Sequence, residues 1–267
     1  SDHQYLWPAD ARLDDQIRAA SEIGMRLHAV RGCMTLGRSQ GGLPPDHVIQ
    51  SEDEILADSQ RLIGTYHDPK PYSMCRLVLA PCAPFNVTER ILVESARMAR
   101  AYPGVRLHSH VAETKDEETW CARTHNMRPV RYMEKLGWVG NDVWWAHCIF
   151  LNPDEIKLMA ETGTGVAHCP SSNMRLGSGV APIREMLDAG VRVGLAVDGS
   201  ASNDCSHMIN EGRQALLLQR VAKGANALKI REVFQMGTTG GAAVLGRDDI
   251  GVLRPGMAAD FIGVPLN

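Results

Sequence analysis

The 267-residue chain is 44% hydrophobic and 22% charged, with a formal net charge of −3, which is enough apolar content for one large α/β domain around a single buried core. Lys and Arg are spread without a block of like charge, which excludes the footprint of a nucleic-acid or anionic-membrane binder and leaves small-molecule chemistry. No apolar run reaches about eighteen residues, and Ser1 to Trp7 lack the basic and apolar regions of a signal peptide, so a soluble protein is expected.

In chain order, Ala11 to Ile23 has helical periodicity that ends at Gly24, and Met25 to Val30 follows as a strand. Residues 34 to 49 form a long Gly- and Pro-bearing loop, read either as a functional lid or as a disordered surface loop. Ser51 with Glu54 makes a capping box for a helix reaching Tyr66, and Cys75 to Ala80 reads as the next strand. Thr88 introduces a helix over Arg90 to Ala101, followed by a strand over Val105 to Val111. The alternation continues with a strand (Asp142 to Cys148), a helix (Asn152 to Glu161), a strand (Gly165 to His168), a helix (Ala181 to Ala189) and a strand (Val191 to Val197). His207 to Val221 and Ile230 to Leu245 are helical. Six strands alternating with helices fit most of a (β/α)8 TIM barrel, although a doubly wound sheet has the same local rhythm. The tail changes character at Gly251 to Gly256, and Ala258 to Val264 reads as one strand of a separate small β unit. The domain organisation expected is therefore a barrel over 1–250 and a second unit beginning over 251–267.

The seven cysteines (Cys33, Cys75, Cys82, Cys121, Cys148, Cys169 and Cys205) are odd in number and include no C-x-x-C pair. Disulfides are not expected, and a reducing cytoplasm is the expected compartment. Cys82, Cys148 and Cys169 follow short β-rich runs and read as small buried residues at strand tops, because no basic neighbour or paired thiol accompanies them.

Polar residues collect at one end of successive strands: Arg31, then His108, His110 and Glu113, then His147, His168 and Asp198. At the carboxyl ends of parallel strands they converge on one mouth. His108 and His110 are two apart, so both can face inward, and imidazole with a carboxylate suits zinc. Glu113 stands three beyond His110 and reaches the pocket only if the strand has ended and the chain has turned. That makes it a loop carboxylate fit to hold a proton. Burial beside Trp144 and Trp145 favours neutral His147, which can accept a hydrogen bond from a water. Asp198 ends the apolar run Gly194 to Val197, where an unpaired carboxylate is expensive, so a metal or bound water is its expected partner. Arg31 has two readings, a bidentate donor to a purine carbonyl or a salt bridge that pins the following loop. His3 is expected to face the same pocket, as a candidate substrate contact. His168 and Asn173 are expected to shape the loop after their strand, with Asn173 a candidate substrate contact.

His110-Val111-Ala112-Glu113-Thr114, Ala146-His147-Cys148, His168-Cys169-Pro170-Ser171-Ser172-Asn173 and Val197-Asp198-Gly199 occur in this order. Together they resemble the cytosine, guanine and triazine deaminase branch of the amidohydrolase superfamily. Gly163 to Gly179, Asp198 to Asn203 and Gln214 to Arg220 are most similar to the 8-oxoguanine deaminases, with pterin deaminases and s-triazine hydrolases similar over the same motifs. The resemblance implies a barrel with one zinc or iron ion held by two first-strand histidines, His110 and Asp198. It also implies that His147 hydrogen-bonds the attacking water, and that His108 is not a ligand. Glu113, His147 and Asp198 are then the catalytic residues. The implied partner is a small heterocycle, without nucleic acid or membrane, and a homo-oligomer is expected. Gly256-Met257-Ala258-Ala259-Asp260 matches the return into the family's small β-sandwich. Family barrels open with an H-x-H strand and none precedes Arg31. Ser1 to Gln4 reads as the end of the second strand, so the first strand, its two ligands and most of the sandwich are expected to lie outside this sequence. A non-catalytic barrel, in which the polar set is only structural, is the competing reading from a different class.

Overall fold

The computed structural model describes residues 1–8 and 11–264. Seven strands, β1 (Asp2–Gln4), β2 (Leu27–Cys33), β3 (Cys75–Pro81), β4 (Arg106–Val111), β5 (Val143–His147), β6 (Gly165–His168) and β7 (Val193–Leu195), form one sheet in sequence order. Every adjacent pair is parallel. The helices up to β5 are α1 (Leu13–Glu22), α2 (Glu52–Tyr66), α3 (Glu89–Arg100), α4 (Lys115–His125) and α5 (Pro129–Lys135). Those after it are α6 (Pro153–Thr162), α7 (Pro170–Arg175), α8 (Ile183–Asp188), α9 (Met208–Lys223), α10 (Ile230–Gln235) and α11 (Gly241–Val244). A flat sheet would hold β1 and β4 about 14 Å apart. The rings of His3 on β1 and His110 on β4 nevertheless lie 5.0 Å apart, so the sheet is curled, as in a TIM barrel, and its inward side chains meet.

Strand register sorts the core into two layers. Ala29, Leu77, Leu79, Leu107, Trp145 and Val166 point outward into the main core, beneath the amphipathic faces of the helices. Val30, Val78, Ala80 and Trp144 point inward and pack with Val244 of α11, so the middle of the concave side is filled with apolar side chains. Titratable residues lie on both sides of this layer, those of the mouth above it and His28, Arg76 and Arg106 below it. The Ser51 hydroxyl caps α2 by accepting from the Glu54 amide, and Asn152 with Glu155 forms a capping box at α6.

Three sequence expectations change. The helix expected over Ile230 to Leu245 is interrupted by a π-helical turn, Met236–Gly240. There the chain closes on β7, so that a Cβ at Gly240 would stand 2.3 Å from the Val193 carbonyl oxygen. Two helices, α4 and α5, fill the stretch between β4 and β5 where no element was anticipated. Ala258 to Val264 carries no strand among the described residues. It has the composition of one but no neighbouring strand to pair with, and a ladder needs a partner. Its Asp260 is instead held by the Arg26 guanidinium. Residues 265–267 of the expected second unit lie outside the described residues. No helix among the described residues is long and apolar enough to cross a membrane.

Candidate metal centre

The mouth is built at the ends of β4, β5 and β7. His110 points inward from β4, opposite Ala146 of β5. Its Nδ1–H donates to the Cys82 carbonyl oxygen at 2.7 Å, which leaves the Nε2 lone pair free, the arrangement that orients a metal-ligating imidazole. β4 then ends at Val111, and Ala112 takes a left-handed φ of 55°. This is the turn that Glu113 requires, and it carries the carboxylate back over the mouth. Glu117 of α4 holds the turn: its fully buried carboxylate accepts from the amides of Ala112 and Glu113, each at 2.8 Å. Burial raises the Glu117 pKa to about 7 against the pull of those two amides.

His147, the last residue of β5, is 1% exposed and also left-handed, with φ 70°. In the assigned orientation of the Asn173 amide, His147 Nδ1–H donates to Asn173 Oδ1 at 2.8 Å. Burial lowers its pKa despite the neighbouring carboxylates, so the ring is neutral with Nε2 as acceptor. Nε2 stands 3.6 Å from Glu113 Oε2 and 3.8 Å from Asp198 Oδ2. Both distances exceed a direct hydrogen bond and suit an intervening donor. Asp198 follows β7 with φ 64°. Burial works against its charge, but the hydrogen bond from the Ser172 hydroxyl leads the contacts that hold the carboxyl below its ordinary range. Behind it, buried Glu211 of α9 accepts from the Ser171 amide at 2.9 Å and from Asn203 Nδ2 at 2.8 Å, which ties α7 to the loop that carries Asp198.

One lone-pair atom each from His110, His147 and Asp198 lies within 4.8 Å of the others. This two-imidazole, one-carboxylate donor set fits a zinc-class ion. Left-handed backbone costs a non-glycine residue about 1–2 kcal/mol, so adopting it at Ala112, His147 and Asp198 together is a feature the surrounding bonds must enforce.

The other sequence candidates separate. His3 lies in the mouth, with its ring 4.8 Å from that of His108. His108 is stacked on Trp144 and its Nδ1 donates to the Trp144 carbonyl. Arg31 does not line the mouth. It pairs with Leu79 of the outer layer, and its guanidinium is bound by Asp58 at 2.7 Å, by Gln50 and by the Gly32 carbonyl. The expectation of an Arg31 substrate contact is corrected in favour of the salt bridge, because an odd-numbered β2 side chain points to the helices. Asn173 is wholly buried and its Oδ1 is engaged by His147, so it positions that ring. His168 is buried with neither ring nitrogen bonded and stands apart from the set. Sequence reasoning missed Glu117, Ser172 and Glu211. For Glu117 a signal existed, since Thr114 caps α4 from the Glu117 amide in a T-x-x-E box. Two clefts on the outer surface, of about 490 and 530 Å³, run along Ile156 and Ala189 and along Ile17 and Tyr66, away from this mouth.

The curled parallel sheet carries a histidine-carboxylate set at its carboxyl end, and residues 3–266 match the Amidohydrolase family. The chain belongs to that family. It is 48% identical over 263 residues, 98% of its length, to an 8-oxoguanine deaminase of Pseudomonas aeruginosa, and 39% identical over 281 aligned residues to an isoxanthopterin deaminase of an unknown prokaryotic organism. It spans 58% of the length of both curated relatives. Among solved structures, an atrazine chlorohydrolase of Arthrobacter aurescens complexed with zinc superposes with a TM-score of 0.91 at 39% identity, covering 96% of this chain and 57% of that one.

Proposed function

We propose that this chain carries the site of a metal-dependent hydrolytic deaminase acting on an aminated purine-like ring, with 8-oxoguanine, converted with water to urate and ammonia, as the substrate. The observation that carries the reading is the meeting of His147 Nε2 with two carboxylates, 3.6 Å from Glu113 Oε2 and 3.8 Å from Asp198 Oδ2. Acceptors converge in this way where a cation and a water belong. His110 and Asp198 would hold zinc or iron, which when bound makes a water nucleophilic near neutral pH. Asp198 and His147 orient the attacking water by accepting its protons. Glu113 delivers a proton to a ring nitrogen, which makes the amino-bearing carbon electrophilic. As the tetrahedral adduct collapses, Glu113 or Asp198 passes a proton to the amine, which leaves as ammonia.

The 48% identity to an 8-oxoguanine deaminase supports the purine. A pterin is the second reading, supported by the isoxanthopterin deaminase, and an s-triazine the third, supported by the atrazine enzyme. The same proposal takes 1–250 as the catalytic barrel and 251–267 as the start of a small β unit, in a cytoplasmic homo-oligomer. Ammonia release from 8-oxoguanine, isoxanthopterin, guanine and aminotriazines, assayed beside metal analysis, tests it. Fastest turnover of 8-oxoguanine is expected. A folded protein with no near-stoichiometric zinc or iron and no ammonia from any of the four would leave the non-catalytic barrel.

A further inference from the structure

We propose a second, all-histidine position for a divalent transition metal, formed by His3, His108 and His110 in the inner part of the mouth. It shares His110 with the site described above, so that one ion has two alternative seats. Register brings the three rings together: His3 lies opposite Val30 on the inward side of β1, and His108 and His110 are inward on β4. The ring centroids are 4.8, 5.0 and 5.7 Å apart, and one ligand atom from each residue lies within 4.8 Å of the others.

The hydrogen bonds prepare each ring in the same way. His3 Nε2–H donates to the Ala80 carbonyl at 3.0 Å, His108 Nδ1–H to that of Trp144 at 3.2 Å, and His110 Nδ1–H to that of Cys82 at 2.7 Å. Each imidazole thus spends one nitrogen on a strand carbonyl and leaves the other for an ion, as metal-ligating histidines do. His3 Nδ1 is buried and has no hydrogen-bond partner, an orphan that an ion would satisfy. The seat for His3 is also built. Gly32 faces the ring so closely that a Cβ there would stand 2.6 Å from its Cδ2 and Nε2.

Tetrahedral zinc with nitrogens at about 2.0–2.1 Å holds them about 3.4 Å apart, so ring rotation must draw this set inward by about an ångström. Three imidazoles without a carboxylate select zinc, cobalt, nickel or copper over magnesium or calcium. His110 has a single free nitrogen and cannot serve both positions at once. An ion in the inner seat therefore stands away from His147 and Asp198, and holds metal without presenting it to the water that those residues orient.

Metal binding alone tests this, independently of the deaminase reading. The chelator-treated full chain is titrated with Co2+ and followed by its visible absorption. With the outer seat removed by Asp198→Asn and His147→Gln together, one Co2+ per chain is still expected, with the intense bands of tetrahedral nitrogen coordination. Adding His3→Gln is expected to weaken that binding at least tenfold. Loss of all Co2+ binding in the folded double variant, or binding that His3→Gln leaves unchanged, overturns the proposal. Should those variants fail to fold, nitrogen NMR of the unsubstituted chain with Zn2+ decides. Shifts at His3 and His108 are expected, and shifts confined to His110 and His147 overturn the second seat.

Discussion

Glu117→Gln replaces the titrating carboxyl that clamps the turn after β4, and its effect on stability has a sign and a size. The Glu117 carboxylate is fully buried, accepts two amide hydrogen bonds at 2.8 Å, and has its pKa raised by burial from an ordinary 4.5 to about 7. The folded chain therefore binds this proton more tightly than the unfolded one. The stability linked to it is fully present below pH 4.5 and is lost as pH rises to about 7. At about 1.4 kcal/mol per pH unit, the gap amounts to about 3 kcal/mol. The variant cannot titrate there, and it gives up one of the two amide bonds, a loss of about 0.5–1.5 kcal/mol at pH 4.5, where the parent carboxyl is protonated. Urea melts followed by tryptophan fluorescence at half-unit steps from pH 4.5 to 8 compare the two. The parent should be the more stable at pH 4.5, and the difference should shrink by about 3 kcal/mol by pH 8. Parallel stability curves across this range would refute the claim that a buried, titrating carboxylate holds the Ala112–Glu113 turn.

Four further outcomes follow from the geometry. Glu113→Gln should abolish ammonia release while leaving metal content unchanged, as measured by coupled assay and elemental analysis. Asn173→Ala frees the His147 tautomer, and kcat should fall by about 10–100-fold with substrate KM little altered. Ser172→Ala withdraws a hydroxyl that holds the Asp198 carboxyl below its ordinary range. The acidic limb of the rate profile, set by the form with Asp198 ionised, should therefore move to higher pH. Arg31→Met breaks the bonds to Asp58 and Gln50 and should lower stability by about 1–3 kcal/mol in a urea melt while KM stays constant.

Strands were legible in the sequence because short β-branched runs end in polar residues at the mouth, and the ordered motifs around His110, His147 and Asp198 made the convergence readable. The direction of Arg31 was not legible. β2 is buried along its whole length, so no polar alternation marks which of its residues face the helices. The contact of Asn173 with His147 was hidden for a related reason: a buried amide on a short helix reads the same whether it meets a ligand or a ring. Glu211 was hidden because its partners, Ser171 and Asn203, are 40 and 8 residues away and only the tertiary fold brings them together. The α4 and α5 helices escaped because charged residues dilute the periodicity of α4 and α5 is only seven residues long.

The left-handed backbone at His147 and Asp198 has a bearing on engineering. Glycine or asparagine is the residue that such a conformation favours, yet neither can replace an imidazole acceptor or a carboxylate. A screen that ranks substitutions by thermal tolerance alone would be drawn to these two positions and would erase the chemistry it set out to preserve.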